Sequence, residues 1–176
     1  MRSTTRLRRA PRIALAGLLL AAALTTLRLP AAAARLTSPK EQFGFSIGDD
    51  YQLVNYKQLA AYWKTLDAES DRMSVVEIGR TAEGRPMIMA IITSPANQKN
   101  LETLRRNNLK LADPRGIPEA EIRKIAAASK PVVCMTMSMH ATEIGGTQMA
   151  PELVYDLMTK TDQETTRILD DVVFLL

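Results

Sequence analysis

His140 is the only histidine of the 176-residue chain, and Glu143 follows it by three residues. An imidazole nitrogen and a carboxylate oxygen at that spacing can converge on one ion, and zinc accepts both ligand types at about 2.0 to 2.2 Å. The pair lies in Ser138-Met139-His140-Ala141-Thr142-Glu143, directly after the apolar run Pro131 to Met137. That run is predicted as a strand, which puts the pair at its carboxyl end, where α/β sheets bind ligands. The same spacing admits a plainer arrangement. A loop histidine can hydrogen-bond backbone while Glu143, at the start of the next helix, interacts favourably with its dipole. By themselves the two residues leave both arrangements open.

Other residues of chemical interest point elsewhere. Cys134 is the only cysteine, so the chain can form no internal disulfide and no cysteine-based zinc site. Flanked by Val133, Met135 and Met137, it is expected to be a buried strand residue acting as a small hydrophobe. Arg105, Arg106, Lys110 and Arg115 could mark a site for an acidic ligand, but the interspersed Glu102 and Asp113 favour a solvated helix face. The net charge of +4 comes from the front of the chain. Six of the 23 Lys and Arg fall within residues 1–34, which hold no acid; the other 17 face 19 Asp and Glu and leave −2. That balance removes the main support for nucleic-acid binding.

The elements that must position the pair alternate between helix and strand. Tyr56, Leu59, Ala60, Trp63 and Leu66 repeat at helical spacing, which predicts an amphipathic helix with its aromatics in the core. Val75, Val76 and Ile78 predict a strand, and Ile88 to Ile92 a second one apolar enough to be buried on both faces. Between them Gly79-Arg80-Thr81-Ala82-Glu83-Gly84-Arg85-Pro86 suits a hairpin connection. Two short helices are expected around Leu101 to Leu109 and Ile122 to Ile125, separated by the turn Asp113-Pro114-Arg115-Gly116. After the candidate pair, Gly145, Gly146 and Thr147 are expected to loosen and cap the start of a helix whose apolar face runs through Met149, Leu153, Val154, Leu157 and Met158; Pro151 fits only near its first turn. A short helix from Gln163 to Leu169 then leads into the apolar strand Val172 to Leu176, an ending expected of a truncated domain. About four strands alternating with helices predict an α/β fold, a mixed sheet in three layers.

Residues 1–34 have the three parts of a secretory signal: a basic stretch to Arg12, an uncharged run from Ile13 to Leu27, and Ala31 to Ala34 before Arg35. Cleavage after Ala33 or Ala34 is expected. The uncharged run is shorter than the ~20 apolar residues of a membrane span, so no stable span is expected after cleavage. The mature part is then residues 35–176, in a periplasmic or extracellular bacterial location.

Several segments resemble the zinc carboxypeptidases in the order that family uses. They are the Tyr56 to Leu66 helix, the strand-turn-strand Ile78 to Pro86, the strand into His140-Ala141-Thr142-Glu143, the helix after Gly146, and Leu169-Asp170-Asp171-Val172-Val173-Phe174-Leu175-Leu176. Together they cover roughly residues 41–176, and the segment 95–130 looks like an insertion of some larger bacterial members. The resemblance implies a three-layer fold with helices on both faces of a mixed sheet, bound Zn2+, and peptide or protein substrates. His140 and Glu143 match the family's first two zinc ligands. The second ligand histidine, the glutamate general base and the residues that hold a substrate carboxylate would lie beyond Leu176, so these 176 residues alone are expected to be inactive. One departure is local: Thr142 stands where several carboxypeptidases have an arginine. The family reading is an exported metallopeptidase; its alternatives are a peptide-binding module of the same fold without catalysis, and an amidase acting on cell-wall peptides.

Overall fold

A computed structural model describes residues 35–176, so the expected signal segment 1–34 lies outside the described residues. The first element is one the apolar spacing does not announce. Helix α1 (Pro39–Phe43) starts with a capping box, in which the Ser38 hydroxyl accepts from the Glu41 amide and the Glu41 carboxylate accepts from the Ser38 amide, and Gly44 ends it at φ +80°. Helix α2 (Tyr56–Glu69) begins with the same device on Asn55 and Gln58. Its buried face is Leu59, Tyr62, Trp63 and Leu66, whereas Tyr56 is about half exposed and donates its hydroxyl to the Pro86 carbonyl. Tyr62 is fully buried and donates to the Thr37 carbonyl at 2.9 Å; burial raises its phenol pKa.

Strands β1 (Met73–Arg80) and β2 (Pro86–Ile92) form the expected antiparallel hairpin, with a register shift between Glu77 and Gly79. After the short α3 (Pro95–Gln98), helices α4 (Leu101–Ala112) and α5 (Glu119–Ala128) flank the expected turn. Their charged faces carry local pairs such as Arg105–Glu102 at 2.9 Å, and Arg115 pairs with Asp113 at 2.6 Å, in keeping with a solvated surface. Strand β3 (Val132–Cys134), helices α6 (Ile144–Thr159) and α7 (Gln163–Asp171), and strand β4 (Val173–Leu175) complete the described elements. The sheet order is β1-β2-β4-β3, with β4 antiparallel to β2 and parallel to β3.

Alternation along β2 sorts the layers. Ala90 and Ile92 join Leu59, Trp63, Leu66, Ala150, Val154 and Met158 in the core between the sheet and helices α2 and α6. Met89 and Ile91 point the other way and line a groove of about 530 Å³ with Val132 and Leu175 of the sheet and Leu101 and Leu104 of α4. The chain is therefore a three-layer α/β structure with helices on both faces of a mixed sheet.

Four expectations change in detail. The strand expected from Pro131 to Met137 forms only over Val132–Cys134, and its residues are exposed, because among the described residues β3 stands at the sheet edge and pairs with β4 alone. Cys134 is consequently exposed rather than buried. Strand β2 is not buried on both faces, since its α4-facing side stays half-covered along the groove. Pro151 sits in the interior of α6, eight positions into the helix, where it removes one ladder donor. Ala150, Pro151, Val154 and Met158 are all buried there, and that packing offsets the weak intrinsic helicity of a segment containing two glycines and a proline.

The core assignment has a direct consequence for stability. Leu66 is fully buried and Leu109 is 57% exposed. Leu66→Ala is expected to lower unfolding free energy by about 2 to 5 kcal/mol and Leu109→Ala by no more than about 0.5 kcal/mol. Urea titration of both variants checks this, and equal losses would contradict the assigned core.

Candidate metal centre

The candidate pair sits on the loop between β3 and α6. Parallel pairing continues one bond past the strand, from the Met135 amide to the Leu175 carbonyl at 2.9 Å, before the chain leaves the sheet. Met137 then packs, half-buried, against the core. What brings helix α6 to this loop is Gly146. A Cβ built there would stand 2.2 Å from the Met137 carbonyl oxygen, so only glycine permits the approach. The neighbouring Gly145 has open space at its Cβ position. The two glycines, expected to loosen and cap a helix start, differ in role: α6 begins at Ile144, ahead of both, and Gly146 is a packing contact.

Within the loop the polar groups turn inward on one another. The Ser138 hydroxyl donates to the His140 carbonyl at 2.7 Å, and the Glu143 amide donates to the same carbonyl at 3.1 Å. Glu143 Oε2 accepts from the amides of His140, at 3.1 Å, and Met139, at 3.3 Å. Its other oxygen, Oε1, lies 2.6 Å from His140 Nδ1. Both side chains are more than half exposed, at 67% for His140 and 54% for Glu143. Glu143 occupies the N-cap position of α6 but its side chain makes no capping bond. The carboxylate therefore faces the imidazole and its own loop amides instead of the helix terminus, and the histidine ring meets a carboxylate instead of backbone. The two side chains meet each other directly, so the structure shows neither the backbone-bonded histidine with a capping glutamate nor a pair spread around an ion.

These bonds hold the Glu143 carboxyl below the usual glutamate range, first through His140's side chain, then through the His140 amide and, more weakly, that of Met139. Nitrogen and oxygen donors side by side suit zinc in kind. Two atoms sharing a tetrahedral zinc at about 2.0 to 2.2 Å stand roughly 3.4 Å apart, so a small opening of two exposed side chains would admit the ion. The pair is two donors and no more: among the described residues no group of three His, Cys, Asp or Glu could hold a metal.

The family model described as zinc carboxypeptidase matches residues 59–176. The chain belongs to the zinc carboxypeptidase family. No curated protein matches it. The matched region of this zinc carboxypeptidase-family chain runs from the second turn of α2 through the hairpin, the His140 loop and β4, and so includes every element that positions the pair. Helix α1 and the loop leading into α2 precede it. Residues that spacing did not single out also shape the site: the Met139 amide, and Gln148, whose side-chain amide binds both the Val54 amide (2.8 Å) and the Val54 carbonyl (2.9 Å) and ties that preceding loop to α6. A half-buried glutamine bonded to distant backbone leaves no local sequence signature.

Two outcomes test this geometry. Gly146→Ala is expected to destabilise by about 1 to 3 kcal/mol and to shift the His140 and Glu143 amide resonances, while Gly145→Ala is neutral or stabilises by up to about 1 kcal/mol; equal effects would refute the contact. For pH, a depressed carboxyl pKa means that Glu143's contribution to loop order is complete above the ordinary glutamate value and disappears as pH falls through the lower folded value. NMR titration should show the Met139 and His140 amides moving together with the Glu143 carboxyl, below the usual glutamate range. An unshifted midpoint would count against the folded-back carboxylate.

Proposed function

We propose that the chain is part of an exported zinc carboxypeptidase-like peptidase, working in the periplasm or outside the cell, in which His140 and Glu143 are two of the protein ligands of zinc. The observation that supports this best is the 2.6 Å approach of His140 Nδ1 and Glu143 Oε1 on the loop leaving the carboxyl end of β3. Since His140 is the only histidine, a second ligand histidine would come from polypeptide other than these 176 residues, and the resemblance would place the general base there too. Bound zinc supplies a water of lowered pKa and a polarised substrate carbonyl, the chemistry of amide hydrolysis.

This chain's own residues would prepare that chemistry. His140 would offer the Nδ1 lone pair when the ring carries its proton on the other nitrogen, and the Met139 and His140 amides keep the Glu143 carboxylate ionised and aimed. Exposed Met139 and Ile144 on either side of the pair present apolar surface to a substrate. Thr142 supplies no charge for a substrate carboxylate, and this favours a second reading, an amidase acting within cell-wall peptides and not at a free C-terminus. A non-catalytic peptide-binding role would keep the same surface without the metal.

The metal assignment is checked by calorimetric zinc titration of the purified chain. Binding is expected to weaken by at least about tenfold in His140→Ala and in Glu143→Ala, with the fold retained by circular dichroism because both side chains are exposed. Zinc affinity unchanged in His140→Ala would refute the histidine as a ligand.

A further inference from the structure

Directly after the expected signal segment, the chain is fixed to helix α2 almost at once. The expected cleavage bonds, after Ala33 or Ala34, lie outside the described residues, but Leu36 already packs, half-buried, against the core. Thr37 binds both carboxylate oxygens of Glu69, the last residue of α2: its amide donates to Oε2 and its hydroxyl to Oε1, each at 2.7 Å. The Thr37 carbonyl accepts from the buried Tyr62 hydroxyl at 2.9 Å. Both backbone groups of Thr37 and its hydroxyl are thus bonded to α2. Pro39 is buried, and the Phe43 ring meets Tyr62 edge-on with centroids 5.2 Å apart. All these residues precede 59–176, the region that the family model matches.

A protease acts on exposed, mobile chain, or on the fraction of molecules in which an anchored segment has opened. Here the anchors stand close to the bond. Cleavage after Ala34 leaves only Arg35 before Leu36, and cleavage after Ala33 leaves Ala34 and Arg35, a tether of at most about 7 Å. Arg35 is exposed, and its guanidinium pairs with Glu41 across the start of α1. A protease cleft that takes about three residues beyond the cut needs Leu36 undocked in either case, and Thr37 as well for the cut after Ala34. Undocking breaks three hydrogen bonds, two of them to a carboxylate, and exposes Leu36, so the open fraction is small.

We propose that residues 36–41 form a strap that closes the signal junction once it docks, so that removal of the signal segment precedes docking and the cut is made on the unfolded exported chain. Thr37, held by Glu69 and Tyr62, is the latch, and Leu36 and Pro39 seal it against the helices. The reaction that supplies the folded form is then proteolysis, after small residues, of an unfolded precursor. The signal junction rests on the exported reading above; the latch needs neither zinc nor catalysis.

The test uses the full chain, folded in mild detergent before a signal peptidase that cuts after small residues is added, with loss of the signal segment followed by mass spectrometry. A second form carries a short Gly-Ser linker between Arg35 and Leu36, which moves the junction off the strap without touching its anchors. The folded parent is expected to be cut at least about tenfold more slowly than the linker form. Glu69→Ala/Tyr62→Phe removes all three partners of Thr37 and is expected to raise the rate of the parent by at least about tenfold, with circular dichroism unchanged. Equal rates for parent and linker form overturn the proposal, as does a double variant no faster than the parent. Trypsin at the Arg35–Leu36 bond reads the latch without any signal peptidase: cutting is expected at least about tenfold faster in the double variant than in the parent, and equal tryptic rates overturn the latch. Failure of the exported reading looks different. A synthetic peptide of residues 24–40 is then left uncut by the signal peptidase together with every folded form, and the proposal falls with that reading.

Discussion

The close approach of Gly146 to the Met137 carbonyl is the contact on which the arrangement of the site depends. A strand exit and a helix start normally stand apart by the thickness of a side chain, and here that side chain is missing. With α6 drawn in, the segment from Ser138 to Glu143 closes on itself, hydroxyl to carbonyl and carboxylate to amides. The convergence of His140 and Glu143 is a product of that closure. A larger residue at 146 would move the helix, and the loop would lose its reason to fold inward.

The closure also needs β4 to be where it is, since among the described residues it is the strand that β3 pairs with. A buried polar cluster sets that position. Thr93, at the end of β2, donates its hydroxyl to the carbonyls of Leu169 and Val172, and the Asn97 amide reaches Thr93 and the carbonyls of Leu169 and Asp170. The last turn of α7 is thereby pinned to the hairpin, and β4 enters the sheet between β2 and β3. At the other end of the crossover, the Arg72 guanidinium donates to the carbonyls of Leu157, Met158 and Lys160, satisfying acceptors at the C-terminus of α6. Groups with unmet hydrogen bonds inside a core are costly, so these partners fix the crossover more sharply than apolar packing alone would.

Much of this was legible in the sequence wherever a local pattern determines the outcome. The helical spacing of Leu59, Trp63 and Leu66 and the glycine-bearing hairpin are short-range signals, and both elements formed where expected. Contacts that depend on partners far along the chain were not legible. Pro131 to Met137 reads as a buried strand by composition, yet burial depends on how many strands lie beside it, and with β4 its one neighbour among the described residues Cys134 is exposed. Pro151 reads as a helix-start residue, but Ala150 and Val154 bury the turn around it and the helix continues. Helix α1 is the opposite case: its Ser-Pro-Lys-Glu start carries a readable capping box that apolar periodicity passes over.

The His140–Glu143 pair shows the same division between local and distant causes. Three-residue spacing permits convergence but equally permits a capping glutamate, and the sequence does not decide between them. The deciding fact is where the carboxylate finds its donors. At the N-cap of α6 it could have accepted from the helix's own free amides, as Asp162 does at the start of α7. It accepts from Met139 and His140 instead. A carboxylate anchored on one oxygen by two backbone amides has little freedom left, and its other oxygen is fixed toward Nδ1. Ordering of that kind lowers the entropy lost when an ion is gripped.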